Sequence, residues 1–344
     1  MARRILWASL ALSPIALIAR YVFHADATTL FVLSAIALIP LAWLIGEATD
    51  HVAEHTGAGI GGFLNASFGN APELIIAVFA IADGLPNVVR GSLTGSVVSN
   101  VLLVLGAAMI AGGNRSLEVD ARSLRLQLVT VLAAVGLMLV PSILGLHGSR
   151  DRHSLFLVTI PVAVVLLAAY IVITVRNLRI HSHEDLRAPR ESAWTMRRAL
   201  LLLAAATVVT ALISETLVHS LDAFGKSVGL NEFFISAVIV AIVGNAAEHG
   251  GAVVIAHRGN MRLASEIAVS SSMQVAVLVT PAVALLSWLV GPGLPLAFRP
   301  VEIVTMVVAA AVAAAMIWDG RSRQVEGFAL VAVYAVIVVV YYVV

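Results

Sequence analysis

Residues 69–73 read GNAPE and residues 244–248 read GNAAE, each set in a strongly apolar stretch. Residues three or four apart share one face of a helix. Asn70 therefore stands beside Glu73, and Asn245 beside Glu248. Downstream of each motif, Ser96 with Asn100 and Ser270 with Gln274 form further polar pairs at a spacing of four. The inventory is two carboxylates, amide oxygens and hydroxyls. An all-oxygen set suits a hard cation such as Ca2+ rather than zinc or copper, and two ionised glutamates balance one divalent ion. Pro72 has no N–H to give, which predicts a released carbonyl at Phe68. Gly69 and Gly244 are expected to relax the chain at equivalent points as hinges. The plainer alternative is a glutamate that only hydrogen-bonds a neighbouring helix. Each central charge costs about 2.5–3.5 kcal/mol or more to insert into a membrane, so two at matched positions favour a site.

A second tier of polar residues precedes each motif. Glu47, His51 and Glu54 come before the first, and Glu215, His219 and Asp222 before the second. Glu47 and His51 are spaced to touch, as are Glu215 and His219, and the set is read either as a proton or gating path or as interhelical hydrogen bonds. His249 follows Glu248 where the first motif has Leu74. Adjacent helical positions face differently, so His249 is expected to neighbour the site and to carry or relay protons rather than to ligate.

The elements that must hold these residues are membrane helices. Of 344 residues, 60% are hydrophobic and 12% charged, about half the charge of a soluble domain. Apolar runs long enough to cross a core of about 30 Å recur throughout. Hydropathy and turn residues divide an all-α, polytopic chain into about eleven transmembrane helices, near 5–23, 29–52, 63–82, 91–112, 124–146, 154–175, 199–222, 232–256, 264–289, 300–318 and 325–343. The expected organisation is an N-terminal helix in 1–27, a first repeat in 28–175, a cytoplasmic linker in 176–198 and a second repeat in 199–344. Linker charges such as His181, His183, Glu184 and Asp185 read as a solvated loop, with a weak regulatory cation site as the alternative. The sequons at Asn65 and Asn114 read as chance matches. The basic, apolar N-terminus lacks a convincing cleavage site and is kept as a span.

With the N-terminus cytoplasmic, the outer side keeps only Arg20, Arg90, Arg150, Arg152, Lys226 and Arg299 of the 21 Lys and Arg residues. The positive-inside rule thus places the N-terminus in and the C-terminus out, in a cell (inner) membrane. The flanking blocks recur in the same order around both motifs, which implies duplication. Spans 3 and 8 run in opposite directions, so the two copies are inverted, as in many secondary transporters.

GNAPELIIA, GNAAEHGGA, GEATDHVAEHTG, GSVVSNVLLVLG, SSSMQVAV and DGRSRQVEG resemble the Ca2+/H+ exchanger branch of the calcium/cation antiporter superfamily over nearly the whole chain. The resemblance implies one N-terminal helix followed by two inverted five-helix repeats. It implies Glu73 and Glu248 as the central cation-binding carboxylates with Asn70 and Asn245 beside them, and Ser96, Asn100, Ser270 and Gln274 completing the site. The short, mildly acidic linker departs from relatives that carry a strongly acidic segment there.

The expected activity is secondary antiport of Ca2+ against H+ by alternating access, both competing for Glu73 and Glu248. Without an ion, two close carboxylates repel, and either protons or Ca2+ relieve that charge before the carrier reorients. Na+ or K+ as counter-ion, or Mn2+ as cargo, is the alternative. No cysteine, HEXXH or GxSxG is present, so no hydrolytic enzyme is expected, and no cofactor beyond the transported ion. Expected partners are Ca2+, H+ and membrane lipid, with a homo-oligomer left open and no nucleic acid.

Overall fold

The computed structural model describes residues 2–113, 117–181, 194–291 and 293–344. In chain order the helices are α1 (Ala2–Ser9), α2 (Leu12–Tyr21), α3 (Ala27–Gly69), α4 (Ala71–Ala82), α5 (Pro86–Ser99), α6 (Leu105–Gly112), α7 (Ala121–Leu144), α8 (His153–His181), α9 (Met196–Val228), α10 (Glu232–Phe234), α11 (Ala241–Gly244), α12 (Ala246–His257), α13 (Met261–Gln274), α14 (Thr280–Val290), α15 (Pro300–Met316) and α16 (Gln324–Val343). Three π-helical turns interrupt them, at Asn100–Val104, Ile235–Val240 and Val275–Val279. Two short strands, β1 (Leu117–Glu118) and β2 (Arg321–Ser322), pair antiparallel.

Among the described residues, seven helices are long and apolar enough to cross a membrane, or eight if the bent pair Glu232–Gly244 and Ala246–His257 is one span. The helices 71–82 and 300–316 are apolar but shorter. Two spans differ from the sequence expectation. The first, at 5–23, is two helices, because Pro14 cannot donate to Leu10 and its ring crowds that carbonyl. Ser13 N donates to Leu10 O instead, closing a tight turn. The break expected near 53–62 is absent, and α3 runs unbroken for 43 residues to Gly69. Glycine in a helix costs about 1 kcal/mol each but keeps its N–H, and backbone in lipid must satisfy its hydrogen bonds internally. The segment 182–193 of the expected linker, with His183, Glu184 and Asp185, and the sequon asparagine Asn114 lie outside the described residues.

The chain divides into two compact units that interleave along the sequence. The first comprises Met1–Phe79, Ala168–Gly229 and Val243–Ala247, and the second comprises Ala80–Leu167, Leu230–Ile242 and Glu248–Val344. In the first, α3 and α9 lie against each other. Leu44, Ile45, Ala48 and Val52 of α3 pack on Ala199, Leu203 and Ala206 of α9, with Trp194 beside them. Both sets follow helical spacing. Lipid is as apolar as leucine, so close packing rather than escape from water holds such helices together. Asp26 caps α3 through Thr29 N, and Thr195 caps α9 through Arg198 N.

In the second unit, glycines allow backbones to meet. A Cβ on Gly95 of α5 would stand 2.0 Å from Ala237 O, and one on Gly91 2.2 Å from Ser236 Oγ. Gly106 of α6 and Gly327 of α16 make the same close approach, with Cβ positions 2.9 and 2.7 Å from the opposite carbonyl oxygens. This is small-residue packing at a spacing of four on α5.

The buried segment 294–298 is extended, not helical. Its alternate N–H groups need partners, and helix hydroxyls provide them: Leu294 N to Ser287 Oγ at 2.6 Å, Leu296 N to Thr159 Oγ1 at 2.9 Å and Phe298 N to Ser142 Oγ at 3.0 Å. Each hydroxyl donates to a carbonyl of its own helix and accepts from the segment. Buried Arg90 adds bonds to Pro295 O, to Asn87 and to Asp151.

Candidate ion-binding site

Both GNAxE motifs fold identically. In the first, α3 ends at Gly69, Asn70 forms the break, and α4 begins at Ala71 with Glu73 in its first turn. In the second, α11 ends at Gly244, Asn245 forms the break, and α12 begins at Ala246 with Glu248 in its first turn. Each glutamate thus sits where unpaired N–H groups and the helix dipole favour negative charge. The second break bends the chain by 58°. It has Ala247 where the first has Pro72, so the shared Gly–Asn pair, not proline, is common to both breaks. The Phe68 carbonyl, expected to be released by Pro72, accepts the Asn70 N–H. The break itself brings that donor within reach.

In the first unit, Asn70, Glu73 and Asn245 are buried. Gly244 lies directly against Glu73: a Cβ there would stand 3.5 Å from its Cγ, 3.6 Å from Cδ and 3.7 Å from Oε1. That is ordinary van der Waals contact, so a methyl group would fit there and this approach does not by itself require glycine. The two motifs meet at this glycine.

In the second unit, a chain of hydrogen bonds links four residues. Ser271 hydrogen-bonds the Glu248 side chain. Asn100 Nδ2 donates to Ser271 Oγ at 3.0 Å, and Asn100 Oδ1 pairs with His249 Nε2 at 3.0 Å. The directions fit one another: Ser271 accepts from Asn100 and gives its own proton to Glu248, and the amide oxygen accepts from a protonated Nε2. Oε2 of Glu248 is buried with no hydrogen-bond partner among the described residues. His249 thus neighbours the chain through Asn100.

Ser271 was not singled out from the sequence. The matched spacing of Ser96–Asn100 pointed to Ser270 and Gln274, and a run of three serines hides which one faces inward. Ser270 Oγ donates to Ile267 O of its own helix at 3.3 Å. Ser96 and Asn100 are fully buried on α5 and at its end. Ser272 Oγ donates to Val97 O at 2.9 Å, tying α13 to α5. The π-helical turns at Asn100–Val104 and Val275–Val279 begin at Asn100 and directly after Gln274. Such turns cluster at functional sites because the extra residue re-aims side chains, and no sequence signal foretold them.

The gating candidates divide. His51 bonds Glu54 at 2.9 Å, lies 3.8 Å from Glu47 and meets Trp194 in a tilted ring contact with centroids 4.4 Å apart. The matching contact in the second copy differs. His219 Nδ1 meets the Glu215 backbone carbonyl at 2.8 Å, while the Glu215 carboxylate takes Arg20 Nη2 at 2.9 Å. Asp222 pairs with Lys226 at 2.6 Å. A cleft of about 400 Å³ lined by Trp7, Thr195, Arg197, Arg198, Leu201 and Leu202 contains none of the expected site residues.

A family model described as sodium/calcium exchanger protein matches residues 27–179 and again 198–343. The chain belongs to the sodium/calcium exchanger protein family. It is 34% identical to a Ca(2+)/H(+) antiporter of Aphanothece halophytica, over 94% of this chain and 92% of that one. It is also 34% identical to the Ca(2+)/H(+) antiporter ChaA of Bacillus subtilis (strain 168), over 92% of each. Among solved structures, native YfkE matches with a TM-score of 0.85 and 32% identity, over 99% of this chain and 100% of that chain. The H+/Ca2+ exchanger CAX matches in fold with a TM-score of 0.70 at 17% identity, over 99% of this chain and 92% of that one.

Proposed function

We propose that this protein is a secondary antiporter that exchanges Ca2+ for H+ across a membrane, with both competing for Glu73 and Glu248. The observation that carries the reading is the pair of Gly–Asn helix breaks, each setting a glutamate in the first turn of a new helix within an apolar chain. The sequence similarity to Ca(2+)/H(+) antiporters supports the choice of ions. Asn70, Asn245, Ser96, Asn100, Ser270 and Gln274 supply further oxygen, with Ser271 joining them through Glu248. Protons or Ca2+ neutralise the carboxylates, and the ionised empty form is too costly to reorient in a low-dielectric setting. Exchange is thereby obligatory.

Eleven spans, two inverted repeats in 28–175 and 199–344, and a cytoplasmic N-terminus with an outside C-terminus complete the proposal, in a cell membrane with lipid as the surrounding partner. The repeated blocks of sequence and the Arg distribution support them. Reconstituted vesicles test the reading. An imposed proton gradient drives Ca2+ movement in the wild type, and Glu73→Gln and Glu248→Gln each lower it on the order of 100-fold, from about 3 kcal/mol per lost buried charge. Ca2+ movement driven by sodium or potassium but not by protons would overturn the choice of counter-ion. Normal exchange in either variant would overturn the site.

A further inference from the structure

The α13 helix carries a polar series that the site described above does not use in full. Arg262, Glu266, Ser270 and Gln274 recur every four residues along it. Positions 264, 265, 268, 269 and 271–273 are buried, whereas Glu266, Ser270 and Gln274 remain half-exposed and Arg262 is exposed. A carboxylate turned to lipid within an apolar span is costly, so this polar stripe is a water-facing one. The first repeat has no such charge. Its matching series on α5, Ser92, Ser96 and Asn100, is buried and neutral.

Among the described residues, Glu266 pairs with no cation. Its Oε2 accepts from Gln127 Nε2 of α7 at 2.6 Å, a neutral partner. Arg262, one turn away and the obvious neutraliser, is drawn to Asp120 at 3.1 Å. Ser270, one turn further, donates its proton to Ile267 O, which leaves its oxygen lone pairs for a cation. One carboxylate and one hydroxyl oxygen at this spacing are hard ligands for a partly hydrated divalent ion.

We propose that Glu266 is a recruiting carboxylate that attracts the divalent cation along the α13 stripe toward Gln274 and Glu248. This rests on the Ca2+/H+ reading above. Glu266 and Gln274 are eight residues apart, about 12 Å along a helix. At that distance in a water-like medium, one unit charge changes the affinity for a divalent ion about threefold. Glu266 acts on capture, not on the exchange step.

The test is Ca2+/H+ exchange in proteoliposomes at low and high ionic strength, with KM and maximal rate read separately. Glu266→Gln keeps a hydrogen bond to Gln127 and removes the charge. It raises the Ca2+ KM about threefold at low salt, leaves the maximal rate unchanged, and converges on the wild type near 1 M salt, where the screening length is about 3 Å. Glu266→Ser, the residue that the first repeat has there, behaves alike and serves if the glutamine variant accumulates poorly. Glu266→Asp stays near the wild type, as does Gln127→Leu, which breaks the tie but keeps the charge. An unchanged KM in both neutral variants sinks the proposal, as does a salt-independent effect shared by Gln127→Leu, which marks a packing tie. Wild-type exchange is measured first, so a failure of the antiport reading is seen before the variants are compared.

Discussion

The helices after the two breaks, α5 and α13, carry matching polar series yet stand in different surroundings. On α5, Gly91 and Gly95 let the backbone press against Ser236 and Ala237, and Ser92, Ser96 and Asn100 are buried. On α13, Ser265 and Val269 occupy the positions of those glycines, and Glu266, Ser270 and Gln274 are half-exposed. Duplicated sequences have thus been driven to different ends. One helix is fixed by close packing, and the other keeps a half-exposed polar face. The local breaks before them stayed alike, because both depend on a Gly–Asn pair and on a glutamate at the start of a new helix.

The largest effect that would break this comparison is at Gly95. Gly95→Ala forces a methyl group onto the Ala237 carbonyl and should lower stability by about 1–3 kcal/mol, seen as a fall in the melting temperature in detergent. Val269→Ala on α13 should cost less, about 1 kcal/mol, since no backbone contact is lost there. Equal losses would remove the contrast between a fixed and an accessible helix.

Next comes the serine that bridges Asn100 and Glu248. Ser271→Ala removes a hydroxyl serving both, and should weaken Ca2+ affinity about fivefold, equivalent to about 1 kcal/mol. Ser270→Ala, whose hydroxyl donates to Ile267 O of its own helix, should change affinity less. A flux assay over a Ca2+ series reads both, and the reverse order would make Ser270 the more important of the two hydroxyls. Smaller still is Pro72→Ala. The second copy breaks with Ala247 at this position, so exchange should stay within about twofold of wild type and the stability within about 0.5 kcal/mol. A collapse of exchange would make proline, rather than Gly–Asn, the cause of the first break.

The smallest effect lies at the helix caps. A hydrogen bond from the Thr29 side chain, with one from the Thr29 N–H, holds the exposed Asp26 carboxyl below its ordinary value. Its folded-state value is depressed, so the stabilisation is present above about pH 4, the ordinary aspartate range, and is lost as pH falls through the folded value. Asp26→Ala should lower the melting temperature slightly at neutral pH, and the gap to wild type should close on acidification. Thr195, the neutral cap of α9, has no such titration, so Thr195→Ala should give a gap that does not change with pH.

Much of the site was legible in the sequence because it is written in residue types. Asn and Glu among apolar residues, in two matching copies, single out Glu73 and Glu248 as candidate ligands. The spacing of Glu47 to His51 foretold a contact that the structure contains. Ser271 was not legible, since three adjacent serines give no phase and only the packing of α13 against α5 chooses among them. Glu266 was passed over because it follows no repeat: its counterpart is Ser92.

The sequence by itself determined an apolar helical chain, the places where polar oxygen enters it, and the duplication, because each of these is a local matter of composition and spacing. The tertiary structure decided what depends on neighbours. The glycine-rich stretch around 57–62 stayed helical because its N–H groups are kept and satisfied along the helix, whereas Pro14 split the N-terminal span. The extended segment 294–298 survives in the interior only because three hydroxyls from α7, α8 and α14 meet its alternate N–H groups. The π-helical turns at Asn100 and after Gln274, and the contact of Gly244 with Glu73, likewise arise from packing between segments distant in sequence. Hydrogen-bond satisfaction is a demand that each residue carries, but its partners are fixed only when the chain has folded.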